Sequence, residues 1–121
     1  METLESAWTL QAHAAYLRDQ RWYAKKRRPE LAAVTRNLQR YMNLLAATAH
    51  PRTLQAGFLH PEPHGMVAID QRGASGDLQP TRLYCFADGA TRTVHLLGIG
   101  SKADQAADLA RLVPLAQTLN R

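Results

Sequence analysis

Residues 81–99 constrain this chain more than any other stretch. Thr81-Arg82-Leu83-Tyr84-Cys85-Phe86-Ala87 and residues 90–99 are both rich in β-branched, aromatic and aliphatic side chains, and Asp88-Gly89 stands between them. An Asp-Gly pair between two such runs favours a two-residue type I′ turn, whose central residues both need positive φ. That turn sets Ala87 opposite Ala90, Arg82 opposite His95 and Tyr84 opposite Thr93. A four-residue loop would instead oppose Tyr84 to His95. Either register gives the same faces, because side chains alternate with a period of two. Arg82, Tyr84 and Phe86 then share one face with Thr93, His95 and Leu97, and Leu83, Cys85, Val94 and Leu96 form the apolar face turned to the core. Only a bulge would alter that assignment.

The rest of the chain predicts helices around this hairpin. Residues 5–25 contain no Gly or Pro and are rich in Ala, Leu, Gln and Arg, which reads as a first helix. Leu31, Val34, Leu38, Tyr41 and Leu45 recur at steps of three and four, a single apolar stripe that predicts a second helix from about Pro29. It should stop before His50-Pro51, since a residue preceding proline avoids the helical region. Residues 57–65, with Pro61 and Pro63, read as loop, and Met66-Val67-Ala68-Ile69-Asp70 as a strand. Residues 71–80 hold Gly73, Gly76 and Pro80 and predict a mobile connection long enough to act as a flap. Ser101 and Asp104 resemble a capping box before a last helix bearing Leu109, Leu112, Val113, Ala116 and Leu119, which Pro114 should kink or end. With 121 residues there is room for one core. The expected class is a single α+β domain: a helical hairpin at about 5–48 packed on a small antiparallel sheet of about three to four strands at about 66–99, then a C-terminal helix at about 102–119.

Composition excludes several classes. A single cysteine, Cys85, rules out an internal disulfide framework and a multi-cysteine zinc site, and its place on the apolar face favours a buried thiol over a nucleophile. No run of eighteen apolar residues exists, so no membrane partner is expected. Met1-Glu2-Thr3-Leu4-Glu5 is acidic where a secretory signal would be basic, which predicts a cytoplasmic protein. The net charge is +5, and its position matters more than its size. Residues 18–52 carry nine basic side chains against Asp19 and Glu30, a net of +7, and the remainder is slightly acidic at −2. Concentrated positive charge is the footprint of phosphate binding, or else a solvated helix end with a basic turn.

The face carrying Arg82, Tyr84 and His95 combines a cation, a phenol and an imidazole. Arginine can neutralise a phosphate, and the other two can move a proton to or from a ribose hydroxyl. The same content also suits a face on which Tyr84 and Phe86 pack beneath a helix while Arg82 and His95 line its rim. Gly98-Ile99-Gly100-Ser101-Lys102 could form an anion nest, although the Walker spacing is absent and Lys102 reads equally as a surface lysine at a helix start. His60, Glu62 and His64 alternate in a proline-rich loop, but no third histidine or cysteine lies nearby in sequence, so no metal and no cofactor is expected.

The order helix, basic turn, helix, then Thr81-Arg82-Leu83-Tyr84-Cys85-Phe86, Arg92-Thr93-Val94-His95-Leu96-Leu97-Gly98-Ile99-Gly100-Ser101-Lys102 and a terminal helix resembles the RelE/HigB-like toxins of bacterial toxin–antitoxin modules, in the RelE/ParE superfamily. Residues 81–112 carry the clearest part of the likeness. The resemblance implies a type II toxin that cleaves mRNA on the ribosome without a metal and is held inactive by a cognate antitoxin, with no small-molecule ligand. It makes Arg82 the strand arginine that binds phosphate and stabilises the transition state, and Lys102 the basic residue after the last strand. Tyr84 and His95 are proton-transfer candidates by chemistry and face. Lys25, Lys26, Arg27 and Arg28 would contact ribosomal RNA, and Arg36, Arg40 and Arg72 complete the RNA-binding set. Typical members open on a β-strand, where this sequence reads as helix, and have a shorter connection than residues 60–80. A gyrase-poisoning relative of the same fold and a non-catalytic basic module that binds nucleic acid or protein are the alternatives.

Overall fold

In the computed structural model, which describes residues 7–120, the apolar stripe of residues 31–45 is the inner face of a helix. That helix, α2 (Arg28–Ala46), pairs with α1 (Ala14–Lys26) and buries Val34, Leu38, Tyr41 and Leu45. They cover one face of a five-stranded sheet made of β1 (Thr9–Ala12), β2 (Leu59–Pro61), β3 (Val67–Gln71), β4 (Thr81–Asp88) and β5 (Thr93–Ser101), in the order β1-β5-β4-β3-β2. The opposite face is covered by α3 (Gln105–Leu119). The result is three layers with a core on each side of the sheet. Leu83, Cys85, Val94 and Leu96 face α1 and α2, and Tyr84, Phe86 and Leu97 face Leu112 and Ala116 of α3. No helix among the described residues is long and apolar enough to cross a membrane.

The architecture is the expected α+β class, and the differences lie at its edges. The first helix does not begin at residue 5. Thr9–Ala12 is an edge strand pairing parallel with β5, and α1 starts only at Ala14; residues 5 and 6 of that expectation, and the acidic start at residues 1–5, lie outside the described residues. Helix propensity lost here because four extended residues complete the sheet alongside β5, with Leu10 opposite Val94. Residues 57–65 are not all loop: Leu59–Pro61 adds a second edge strand, where a proline lacking a ladder donor is tolerated. These two strands bring the sheet to five rather than three or four.

The hairpin takes neither expected register. Asp88 pairs with Thr93, so residues 89–92 form the connection and Arg92 takes up positive φ. A shift in register between Tyr84 and Cys85 then places Tyr84 opposite Gly98 and Arg82 opposite Gly100, not His95. The bulge leaves Arg82, Tyr84, Phe86, His95 and Leu97 on the α3 side and turns Ile99 toward α1 and α2. Residues 71–80 are tied down rather than free: Gln79 N–H donates to Glu30 (3.0 Å), and Gln71 Nε2 donates to the Gln79 carbonyl (2.9 Å). Helix α3 runs through Pro114, held to the sheet by Leu112 before the proline and Ala116 after it. Ser101 accepts from Asp104 N–H (3.2 Å), the first half of the expected capping box, but the Asp104 carboxylate takes the Ser101 hydroxyl (3.0 Å) in place of its backbone N–H.

Gly65 is where the β2–β3 connection meets the α3-side core. Its φ is +80°, and a Cβ there would come within 2.8 Å of the Phe86 ring. Gly65→Ala is expected to cost about 1–3 kcal/mol from backbone strain and overpacking together, measured as a lower urea midpoint with an unchanged slope.

Candidate functional site

The α3-facing side of β4 begins at Arg82, and cross-strand pairing dictates its surroundings. Asp70 of β3 lies directly opposite, and the chain just after β2 delivers Glu62. Arg82 is 7% exposed, with Nη1 at 3.4 Å from a Glu62 oxygen and Nε at 3.7 Å from Asp70 Oδ1. His60 Nε2 lies 3.3 Å from the other Asp70 oxygen. Burial pushes the Glu62 carboxyl above the usual range, against the pull of Arg82 and His60. The strand arginine is thus enclosed by two carboxylates instead of facing solvent.

Two residues further along β4, Tyr84 is fully buried beneath α3. Its hydroxyl has no hydrogen-bond partner among the described residues. Burial, reinforced by Asp108, pushes its ionisation well above the ordinary tyrosine value, so the phenol keeps its proton. Beside it Arg111 bridges Asp19 (2.8 Å) and Asp108 (3.2 Å), and Asp19 accepts the Ile99 N–H (3.0 Å). Gly100 has no room for a side chain because the Asp108 carboxylate lies over it.

The other end of the same face holds His95, which is opposite Phe86. Its Nδ1 is 2.9 Å from Nε2 of His13, the residue that links β1 to α1. Parallel pairing of β1 with β5 creates this contact by setting Gln11 opposite His95. Burial, then the neighbouring His95, lowers the His13 pKa. Two imidazoles sharing one hydrogen bond, one held neutral, can take up and return a proton. Arg52 stacks over the Phe86 ring at 5.4 Å, bringing an exposed cation toward this end.

The expected constellation is therefore split. Arg82 and His95 stand at positions four residues apart along β4, about 13 Å at the usual strand rise. Lys102 lies at the Arg82 end, exposed on a short turn after β5, its N–H donating to the Pro80 carbonyl (3.1 Å). His60, Glu62 and His64 diverge to Asp70, Arg82 and Gln117 respectively. The described residues contain no group of three His, Cys, Asp or Glu arranged to hold a metal. Cys85 is buried, which pushes its thiol up to about 12.

The seven basic residues expected to contact RNA divide into two groups. Lys25, Lys26, Arg27 and Arg28 are exposed at the α1–α2 turn, where Arg27 and Arg28 donate to the Lys26 and Ala24 carbonyls (3.3 and 3.4 Å). Arg36 and Arg40 of α2 meet Arg72, just after β3, around a surface cleft of about 250 Å³. Among the described residues no carboxylate lines that cleft. Arg40 is steadied by Asn37 Oδ1 (3.1 Å) and by the Phe58 ring at 4.5 Å.

His13 and Asp70 are neighbours of the candidate residues that sequence reasoning missed, and Glu62, considered there only as a metal ligand, instead partners Arg82. A lone histidine in a helix-like run carries no sign that a parallel strand will bring it to His95. Asp70 could have been paired with Arg82 only with the β3–β4 register in hand.

No protein-family model matches the chain, and no curated protein matches it in sequence. Among solved structures it matches the free-state structure of an E. coli RelE toxin carrying two arginine-to-alanine substitutions. The TM-score is 0.57 at 17% identity, over 90% of this chain and 97% of that one. The chain therefore has a RelE-like fold, and β1 is a strand that the sequence pattern did not reveal.

The histidine pair makes a pH prediction. The fold favours neutral His13, so the unfolded chain takes up protons first as pH falls through about 6.5. Stability is therefore lost below that pH. The drop in urea midpoint between pH 7.5 and pH 5.5 is expected to be smaller in His13→Gln than in the parent chain.

Proposed function

We propose that this protein is the toxin of a type II toxin–antitoxin module, a ribosome-dependent mRNA endonuclease that works without a metal and is restrained by a cognate antitoxin. The cleft of Arg36, Arg40 and Arg72 carries this reading. Three guanidinium groups around one hollow without a carboxylate suit a phosphate backbone, and they sit on a RelE-like fold. In this reading residues 25–28 extend the phosphate track. His95 and His13 move the proton between the ribose 2′-hydroxyl and the leaving oxygen. Arg82, with Lys102 at the same end of the sheet, neutralises the charge that develops at phosphorus only if its released side chain reaches back along the roughly 13 Å of strand toward His95. Tyr84, between them along β4, is a phenol that remains a donor. Arg82 and Tyr84 reach RNA only once Glu62 and α3 give way, since both are covered.

A second reading has its own support. An arginine already neutralised by Glu62 and Asp70, with a tyrosine buried under a helix, also suits a non-catalytic basic module that binds RNA.

Induced expression in bacteria, with growth and transcript integrity followed together, separates the readings. His95→Ala is expected to lower transcript cleavage at least tenfold, in keeping with the contribution of a positioned proton-transfer group. Removing Arg82 outright would leave the little-exposed Glu62 side chain unpaired, at a cost of about 3–5 kcal/mol, while Asp70 keeps His60, so Glu62→Gln is the more informative change. It should loosen Arg82 and raise cleavage. Undiminished toxicity of the Arg82→Ala, His95→Ala double variant would sink the endonuclease assignment. DNA damage in place of transcript loss would point to the gyrase-poisoning relative, and salt-dependent RNA binding with no cleavage to the binding module. Replacing Arg36, Arg40 and Arg72 by Ala should flatten the dependence of log affinity on log salt for single-stranded RNA by about 0.7 for each phosphate that is no longer neutralised.

A further inference from the structure

Trp22 is 51% exposed on α1, edge-on to Tyr23 with ring centroids 5.0 Å apart. It stands within the most basic part of the sequence, yet the hollow it overlooks is acidic. That hollow, of about 390 Å³, lies between the α1–α2 turn and the end of β5. Glu30, Asp104 and Asp108 line it, and among the described residues Arg27 is the only cation in its wall. Glu30 is 7% exposed and gives one carboxylate oxygen to the Gln79 N–H (3.0 Å). Asp108 is equally buried, and its Oδ2 has no hydrogen-bond partner among the described residues. Asp104 is exposed at the mouth, steadied by Ser101. Burial and the Asp108 and Asp104 charges hold the Tyr23 phenol up to about 12, so it too stays a donor.

Three chemistries meet in its lining: a half-exposed aromatic ring, carboxylate acceptors and one arginine. A lone cationic side chain from a protein would satisfy the carboxylates, but it would meet the like charge of Arg27 in the wall and leave the indole plane unused. A nucleotide meets all three requirements, with its phosphate on the arginine, its base on the indole and its donor edge on the carboxylates. Among the four RNA bases only guanine places two adjacent N–H donors, at N1 and N2, on one edge. A carboxylate accepts such a pair through both oxygens. Adenine and cytosine put a ring acceptor beside the amino group, and uracil flanks its single donor with carbonyls, so each sets oxygen or nitrogen lone pairs against the carboxylate.

We propose that the hollow between Trp22, Glu30 and Asp104 binds a guanine base of RNA, stacked on Trp22 with its N1–H and N2–H on a carboxylate. This rests on the RNA reading above and names a base preference for it. Trp22 supplies affinity for any base, and Glu30 and Asp104 supply the choice among bases.

The test uses the full chain and fluorescein-labelled RNA pentamers of uridine with a central G, A, C, U or inosine, read by anisotropy. The G pentamer is expected to bind at least tenfold tighter than the A, C and U pentamers. Inosine, which lacks the N2 amino group, should lose most of that advantage. Trp22→Ala should weaken the G pentamer about tenfold, the scale of one base–aromatic stack. Glu30→Gln should erase the difference between G and A. Because Glu30 also holds residue 79, Asp104→Asn, at an exposed position, provides a second variant that should narrow the same difference. Equal affinity for all pentamers, or a G preference that survives in Trp22→Ala and in both carboxylate variants, overturns the proposal. So does an Arg-Gly-Arg peptide that displaces the G pentamer and binds more tightly to the same hollow, which would mark a protein partner. Growth arrest and transcript loss scored alongside keep the two levels apart. If the base preference is absent and arrest persists, the pocket alone is wrong; if no pentamer binds and cells grow normally, the RNA reading falls with it.

Discussion

The strand β4 is covered on both faces, and the rest of the molecule follows from that. Leu83 and Cys85 press against the α1–α2 layer, and Tyr84 and Phe86 against α3. A sheet with water on one side would leave its polar face available for chemistry, as the alternation of Arg82, Tyr84 and Phe86 suggests. Here α3 closes that face, so a guanidinium and a phenol enter the interior with the apolar side chains. Burying a charge without a partner would cost several kcal/mol, and the chain meets this by bringing Asp70 across from β3 and Glu62 from the end of β2. The short edge strand β2 thus has an electrostatic role as well as a geometric one.

This arrangement sorts charge by depth. Most of the acidic residues near the sheet point inward, to Arg82, to Arg111 or into the hollow below Trp22. The cations of α2 and of the α1–α2 turn point outward, and Arg36 and Arg40 meet Arg72 where no carboxylate of the described residues intervenes. A chain of net charge +5 therefore shows solvent a surface more basic than its composition suggests. In the proposed function, phosphate contacts through these arginines would set affinity and leave sequence unread.

Much of the fold was legible because it rested on local periodicity. The stripe from Leu31 to Leu45 dictated α2 and its buried face, and the β-prone runs around Asp88-Gly89 dictated the central hairpin. Face parity survived because the four-residue loop at residues 89–92 preserves it and the bulge opposite Tyr84/Cys85 falls at Leu97, after His95. The edges were illegible. Thr9–Ala12 has no strand signature of its own and is extended because β5 offers it a ladder, and Leu59–Pro61 is extended because β3 does the same.

The candidate site followed the same division. Residue chemistry alone singled out Arg82, Tyr84, His95 and the arginines of α2. Whether those groups meet depended on loop length and one bulge, which moved Arg82 from His95 to Gly100 and left each with partners far away in sequence. By itself the sequence determined the α+β class, the buried stripe of α2, the two faces of β4 and the concentration of positive charge, all consequences of side-chain type and short-range spacing. Only the tertiary structure decided that Arg82 is enclosed by Glu62 and Asp70, that His95 shares a hydrogen bond with His13, and that Arg72 joins Arg36 and Arg40. Those pairings are set by strand register and by the covering of both sheet faces, which are properties of the whole chain and appear in no local window.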